Sequence, residues 1–319
     1  MNLTTSKILN ASLVIILPVF FMSCNNDKDD AQPNEAVITE QFKEGIIEMG
    51  MFSGEIDFGE FIDQLDFSRA DIKQQFTNLI SSLPANKNPL TVIQNLQANN
   101  PLAALGATLS ISKCDYIIKD QVVLGKATGF GWEMDHYHNR QSNIANMYLE
   151  TLVQTNQIAE GDKKLYASYV PSQDLGAGNR SELDLNNYER KIQSKKVNVS
   201  GYECDVVVYE IKNQDGGEGS IQNPLNKLVV YTSPLFDKTI NFTHPYYLPE
   251  EGGILRIDIY LENKNTPTIT MKPISINARQ IADTELVART ATPEHSTTDM
   301  NFGFKSLAII LSGWGVLAD

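Results

Sequence analysis

Alternation of apolar and polar residues is the main pattern along this chain. In LRIDIYL, at 255–261, apolar side chains alternate with arginine, aspartate and tyrosine. This period of two predicts an antiparallel strand with one buried face and one face toward water. Comparable runs occupy 42–52, 107–118, 121–134, 146–153, 164–170, 202–211, 227–232 and 267–276. The pattern therefore predicts about nine strands in one curved antiparallel sheet.

A helical pattern interrupts these strands near residues 59–104. Ile72, Phe76 and Ile80 recur at helical spacing, and Pro84 ends the segment. A second helical piece follows at 91–98. Helices with one apolar face need a surface to cover, so we expect them to lie across a face of the sheet. The combined pattern predicts an α+β fold that is mainly antiparallel β, without a clean boundary inside residues 39–289.

The N-terminus has the pattern of a secretory signal. Lys7 precedes the run 8–22, which is almost entirely apolar and shorter than the ~20 residues that span a bilayer. Cys24 follows a small residue, and this junction resembles the lipobox of bacterial lipoproteins, with Phe21 where leucine is usual. The resemblance implies that residues 1–23 are removed as a lipoprotein signal peptide. It also implies that acyl chains such as palmitate on the cysteine anchor the protein to the outer membrane.

Residues 24–38 are expected to form an acidic, flexible tether. Asp27, Asp29 and Asp30 stand directly behind the cysteine. Their position resembles a signal that sends lipoproteins of some Gram-negative bacteria to the cell surface. The alternative is a solvated linker that carries no address. We therefore expect an outer-membrane lipoprotein, and both the inner leaflet and the cell surface stay open as its location.

Charge and cysteine content narrow the possible partners and bonds. A net charge of −13 argues against nucleic acid and against anionic head groups held by a basic patch. With Cys24 assigned to lipid, Cys114 and Cys204 form an even pair in an oxidising compartment. A disulfide between them is one interpretation. Two separate thiols, packed as small apolar residues, are the other.

The polar sequence EMDHYH, at 133–138, sits at the end of an apolar strand. If the strand stays in register, one face carries Phe130, Trp132, Met134, His136 and His138. His136 and His138 are the metal candidates, with His244 as a distant third, but zinc usually takes three or four ligands. We therefore predict no metal and no cofactor. We expect the two histidines to be exposed where the strand leaves the sheet, without a chemical role.

Catalytic motifs are not evident in the sequence. It contains no nucleophile elbow of the Gly-x-Ser-x-Gly type, and the glycine-rich stretches at 176–178 and 216–220 have the character of turns. We predict that the protein is not an enzyme. An undetected envelope hydrolase is kept as the third functional alternative.

Three short segments occur in order along the chain. They are VNVSGYEC at 197–204, LPEEGGIL at 248–255 and INARQIADTEL at 276–286. Together they resemble a family of uncharacterised bacterial envelope lipoproteins, a domain of unknown function with a GYxC strand motif. Members of that family are similar to the LolA and LolB lipoprotein carriers, whose unclosed β-barrel and covering helices enclose an apolar cavity for acyl chains.

This resemblance implies an unclosed, LolA/LolB-like barrel over residues 39–289. The apolar cavity or its lid would then include Ile72, Phe76, Ile80, Phe130, Trp132, Met134, Tyr202, Val206 and Val208. The alternative is an ordinary filled core, because a single-layer sheet needs a cover in any case.

Residues 290–319 form a linker and an apolar tail. The run FGFKSLAIILSGWGVL, at 302–317, is too short to span a bilayer comfortably. It can pack on the domain's own sheet, enter the outer membrane beside the anchor, or plug the cavity. The sequence leaves these three possibilities open.

The expected function follows from the predicted outer-membrane location and from the resemblance to the carrier-like family. We expect a lipid-anchored outer-membrane lipoprotein that binds an apolar ligand, either acyl chains or a lipoprotein in transit, in a half-barrel cavity. The alternative is a structural or adaptor lipoprotein with a filled core and an interaction surface. The expected partners are the membrane, through the lipid anchor, and that apolar ligand. Nucleic acid is not expected.

Overall fold

The structure, a computed structural model, describes most of the chain beyond the tether. The described residues are 37–99, 110–171, 185–212, 225–243, 248–261 and 265–318, with positions 101, 104, 106 and 107. The signal peptide, Cys24, residues 24–36 of the tether and His244 lie outside them.

One antiparallel sheet of 13 strands forms the body of the protein. The strands are β1 Glu44–Ser53, β2 Ile56–Asp57, β3 Lys113–Lys119, β4 Val122–Gly129, β5 Trp132–Asn139, β6 Ile144–Thr151, β7 Lys164–Tyr169, β8 Tyr188–Ile192, β9 Val197–Val199, β10 Tyr202–Ile211, β11 Lys227–Asp237, β12 Gly252–Tyr260 and β13 Ile269–Ala278. They are ordered β7-β6-β5-β4-β3-β1-β13-β12-β11-β10-β8, with β2 beside β1 and β9 beside β10. The path ends at β7 and β8, which do not pair, so the curved sheet is unclosed. The predicted α+β fold, mainly antiparallel β, is confirmed.

Four α-helices with defined bounds accompany the sheet within the described residues. They are α1 Phe58–Asp63, α2 Ile72–Ser82, α3 Pro89–Asn99 and α4 Met300–Ala318. The first three lie where the sequence predicts a helical insertion. The fourth is the apolar tail, which begins two residues earlier than the apolar run suggests.

One face of the sheet carries the main core, and we call it the inner face. Ile47 on β1 pairs with Tyr116 on β3, and Leu149 on β6 pairs with Leu165 on β7. These side chains and that of Trp132 on β5 are at most 2% exposed and belong to one core cluster. The inner face therefore runs continuously from the centre of the sheet to the β7 edge.

A tight turn divides one of the predicted strands. Residues 121–134 were expected to form a single strand, but β4 ends at Gly129 and β5 begins at Trp132. Gly131 adopts a φ of +84°, a conformation that glycine reaches without the steric cost of a side chain. The chain therefore reverses here and forms a hairpin. The short strands β8 and β9 were not predicted either.

The C-terminal segment passes from the outer face to the inner face around the β7 edge. The backbone N–H of Arg289 donates to Asp135 Oδ2 at 2.9 Å, on the outer face of β5. Glu294 then forms a bridge with Tyr166 on β7. After this crossing, α4 contacts β5, β6 and β7.

A second connection links β11 and β12 to β4 and β5, which lie in opposite halves of the strand path. The 3-10 helix Lys238–Thr243, which follows β11, contacts β12 and also β4 and β5. Arg140, in the turn after β5, binds Asp237 with an Nη2 to Oδ2 distance of 2.6 Å. These contacts hold the curved sheet together where strand pairing does not close it.

Candidate functional site

The C-terminal helix α4 fills the inner face of β5–β7. Phe302 is 4% exposed, Ile309 is fully buried, and both belong to the same core cluster as Trp132 and Leu165. Of the three possibilities that the sequence left open for the tail, the structure shows packing on the domain's own sheet.

Small residues let α4 approach the β4–β5 turn closely. A Cβ atom built on Gly313 would lie 2.2 Å from the carbonyl oxygen of Phe130, and one on Gly131 would lie 2.6 Å from Gly313 Cα. At the preceding residue of the helix, the buried hydroxyl of Ser312 forms a hydrogen bond of 2.7 Å with that of Thr151. This fit leaves no room for a ligand between helix and turn.

An aromatic cluster joins α2, the β4–β5 turn and α4. Phe130 is stacked on Trp314 at a centroid distance of 4.3 Å, and Phe67 and Phe76 contact Phe130 edge-on at 5.0 and 5.6 Å. Ile72 is buried in the same cluster, and Ile80 is half-buried against it. The predicted lid residues Ile72, Phe76 and Ile80 therefore do meet Phe130.

Val206 and Val208 of β10, which were also expected at the cavity or its lid, do not join this cluster. Val206 and Val208 pair with Tyr231 and Val229 and lie opposite the face that carries Val207. They pack in a separate small cluster, whereas Tyr202 contacts Phe236 in the main core at 4.6 Å between centroids. Strand alternation predicts which residues share a face, but not which helix covers that face.

Among the described residues, a small cavity lies under the helices. A cavity of about 20 Å³ lies among α1, α2, α3, Phe130 and Trp314, and its lining is mainly apolar. Sites for small molecules usually enclose ~300–1,000 Å³. This cavity has room for about one water molecule and none for an acyl chain.

The two histidines of β5 face the interior, which corrects the prediction that they are exposed. The register pairs His136 with Met147 and His138 with Ala145, on the inner face with Trp132. His138 is 5% exposed, and His136 Nε2 lies 2.7 Å from the hydroxyl of Tyr169. Burial follows because β5 continues in register to Asn139 instead of leaving the sheet. Within the described residues, no group of three or more His, Cys, Asp or Glu side chains could hold a metal ion.

Cys114 and Cys204 are free thiols, so the disulfide interpretation is wrong. Both are buried, and they lie on β3 and β10, which four other strands separate along the sheet. Burial raises the pKa of the Cys114 thiol well above its usual value and that of Cys204 to about 12. The two side chains act as small apolar residues, and their thiols are poor nucleophiles.

The outer face carries a much larger cleft, of about 980 Å³. Its floor includes Tyr137, and its wall includes Leu286 and Val287 from the segment that crosses the outer face. Lys119 donates to Asp283 at 2.6 Å on one side of the cleft. The remaining lining is mixed and comprises Asp120, Gln121, Val122, Gln141, Asn146, Ala288 and Thr290.

Three buried carboxylates were not recognised from the sequence. Asp135, Glu250 and Asp258 are each at most 4% exposed. Each is bound by both ends of an arginine fork, at distances of 2.6–3.1 Å, from Arg289, Arg190 and Arg256 respectively. Two of them also accept a hydrogen bond from a tyrosine, Tyr209 for Glu250 and Tyr231 for Asp258. The oxygens of these carboxylates already have hydrogen-bond donors within the protein, so we assign the carboxylates a structural role.

Comparison with known proteins gives little. No protein-family model and no curated protein matches the chain. A solved structure of PNGF-II in a C2 space group shares 12% identity with a TM-score of 0.30. The aligned region covers 61% of this chain and spans about a third of that one, 30% of its length. At this similarity, neither the fold nor the activity of PNGF-II can be assigned to this chain.

Proposed function

We propose that this chain is an acylated outer-membrane lipoprotein that acts as an adaptor. Its interior is occupied by its own helix α4, and a partner binds at the outer cleft. The observation that carries the proposal is the contrast between an inner cavity of about 20 Å³ and an outer cleft of about 980 Å³. Support for the lipid anchor comes from the apolar run, the small residue and Cys24.

The resemblance to the LolA and LolB carriers belongs to the same proposal. An unclosed curved sheet with covering helices agrees with that relationship, and in this chain α4 takes the place that acyl chains would occupy. We propose no enzymatic activity, and an envelope hydrolase stays the third alternative.

The cleft has the chemistry of a site for a polar partner with little net charge. Lys119 is neutralised by Asp283, and the amides of Gln121, Gln141 and Asn146 can both donate and accept hydrogen bonds. Val287 is 68% exposed at the wall and offers an apolar contact. Such a mixture of polar and apolar groups is typical of interaction surfaces.

An apolar-ligand carrier is the second candidate. The observation in its favour is that the small apolar cavity ends at Trp314, near the C-terminus of α4. Displacement of that end would extend the cavity along the inner face. Under this candidate, α4 is a plug that cargo replaces.

The anchor is tested by fractionating cells that express Cys24→Ser. We expect the wild type in the membrane fraction, with acyl chains visible by mass spectrometry, and the variant in the soluble fraction. Cys204→Ala is the matched control and should stay with the membrane. An unchanged distribution of Cys24→Ser would show that the anchor is elsewhere.

Native mass spectrometry of the mildly extracted protein separates adaptor from carrier. We expect no bound lipid beyond the acyl anchor and no uptake of a fluorescent fatty acid. One lipid per chain, together with greater uptake by Trp314→Ala, would favour the carrier.

A photo-crosslinking residue at position 287 tests the cleft in intact cells. We expect a defined crosslinked species there and none from a crosslinker at position 192, which is also exposed but lies on the distant strand β8. Equal crosslinking from both positions would remove the cleft from the proposal.

A further inference from the structure

The helix α4 has two apolar faces, and the sheet covers only one of them. The side of α4 that faces the sheet carries Phe302 and Ile309. The side of α4 that faces away from the sheet carries Met300, Phe304 and Leu307, which are 74%, 64% and 42% exposed. Steps of four and three residues place these three side chains on one side of the helix. We call them the outer stripe.

The helix is unusually apolar for one on a protein surface. Met300–Leu317 is long and apolar enough to cross a membrane by length and composition, yet only 22% of it is buried. Its inner face is committed to the sheet through Ile309 and through the hydroxyl pair of Thr151 and Ser312. Only the outer stripe is therefore available to contact an apolar surface outside the domain.

The charge of α4 differs from that of the whole chain. The chain has a net charge of −13, but α4 contains no acidic residue. Its one charged side chain, Lys305, is paired with Asp162 at 2.8 Å. An anionic bilayer repels most of this protein. The helix itself adds no acidic side chain to that repulsion, and the exposed Asp299, which accepts from the backbone N–H of Asn301, precedes it beside Met300.

We infer that the outer stripe lies in the interfacial layer of the membrane that holds the lipid anchor. This inference rests on the proposed acylation of Cys24. Residues 24–36 reach about 40 Å when extended, so an anchored chain can bring α4 to the bilayer surface. An interfacial helix buries its apolar side ~5–10 Å deep and keeps its other side out of the lipid. The packing of α4 on the sheet provides that other side.

Contact with the bilayer also orients the domain. With the tether and α4 both at the membrane, the outer stripe fixes which side of the sheet faces away from it. The lipid anchor then works together with a second apolar contact, and two weak attachments hold a protein far better than one.

The test places a polarity-sensitive fluorophore on the outer stripe. Phe304→Cys is labelled with NBD in the full acylated chain, where acylation blocks Cys24. The buried thiols of Cys114 and Cys204, with their raised pKa values, do not compete for the label. The matched control is Ile192→Cys, which is 63% exposed on β8 at the edge of the sheet.

The labelled chains are reconstituted in vesicles of phosphatidylethanolamine and phosphatidylglycerol. We expect NBD at position 304 to shift its emission to shorter wavelength and to be quenched by spin-labelled lipid, while NBD at position 192 does neither. Aqueous emission at both positions in protein that floats with the vesicles would overturn the inference and leave the anchor intact.

Other outcomes are also decisive. A shift at position 304 that needs no vesicles and rises with protein concentration would assign the outer stripe to a second copy of the chain and overturn the inference. Failure to float would contradict the proposed anchor instead. A chain with Cys24→Ser and Phe304→Cys, labelled in the same way, is then held by an N-terminal histidine tag on a nickel-chelating lipid. Its only accessible thiol is at position 304, so its emission decides the inference independently.

Discussion

The helices α3 and α4 both cover the sheet, but their outward sides differ. Leu96 of α3 is buried in the core, and the exposed positions of that helix include Gln94 and Gln97. The outward side of α4 instead presents Phe304 and Leu307. A covering helix needs only one apolar face, because water solvates the other. The second apolar face of α4 therefore indicates a contact outside the folded domain.

The sheet-facing sides of α3 and α4 should contribute similarly to the free energy of unfolding. Ile309→Ala in α4 and Leu96→Ala in α3 each remove a side chain that is at most 1% exposed. We expect each to lower the free energy of unfolding by ~2–5 kcal/mol in denaturant titrations. A negligible loss for Ile309→Ala alone would mean that α4 is not part of the stable core.

The close approach of α4 to the β4–β5 turn depends on Gly313, whereas α3 contains no glycine. Gly313→Val places a methine carbon against the Phe130 carbonyl, which is backbone and cannot rotate away. We expect a loss of ~1–3 kcal/mol and faster hydrogen exchange in β5–β7. Gly303→Ala is the control, because no atom lies within 4 Å of its added Cβ, and it should not destabilise.

The path into α4 depends on one arginine on the outer face. Arg289→Ala leaves Asp135, whose side chain is 2% exposed, with the backbone N–H of residue 289 as a remaining donor. Breaking a fully buried pair costs ~3–5 kcal/mol, but Arg289 is 40% exposed, so we expect about 1–2 kcal/mol. Arg69→Ala, which breaks an exposed pair with Asp71, should change nothing measurable in the same titration.

The outer stripe should contribute least to the stability of the soluble fold. Phe304→Ser removes a side chain that is 64% exposed, so we expect a change within ~0.5 kcal/mol. Membrane association of the variant should nevertheless weaken in vesicle flotation. A large loss of stability would show that Phe304 is a core residue and would remove the contrast with α3.

The strands of this protein were largely predictable because their signal is local. Alternation along 255–261 and 202–211 reflects the pleat of a single strand, and β12 and β10 occupy those positions. The β4–β5 hairpin was missed because its turn residues, Phe130 and Gly131, continue an apolar run. The positive φ of Gly131, which belongs to the turn, is not visible in that pattern.

The candidate site was less predictable because its parts are distant along the chain. Alternation correctly placed Trp132, Met134, His136 and His138 on one face. Phe130, which was predicted with them, lies in the β4–β5 turn. Alternation could not show that this face is the inner one at His138, which depends on the pairing of His138 with Ala145.

Buried charge was the least predictable feature. Arg256 and Asp258 are two residues apart and visible as a pair, but Asp135 and Arg289 are separated by 154 residues. The cysteines were ambiguous for the same reason, since a bond depends on distance in space.

By itself, the sequence determined the α+β class, the strand-rich body, the helical insertion and the apolar character of the tail. Each of these follows from side-chain periodicity within a single segment. The tertiary structure alone decided that α4 fills the inner face, that α2 packs on Phe130, and that both thiols stay free. Those outcomes depend on packing between segments, where shape and the space left by other side chains select the partner.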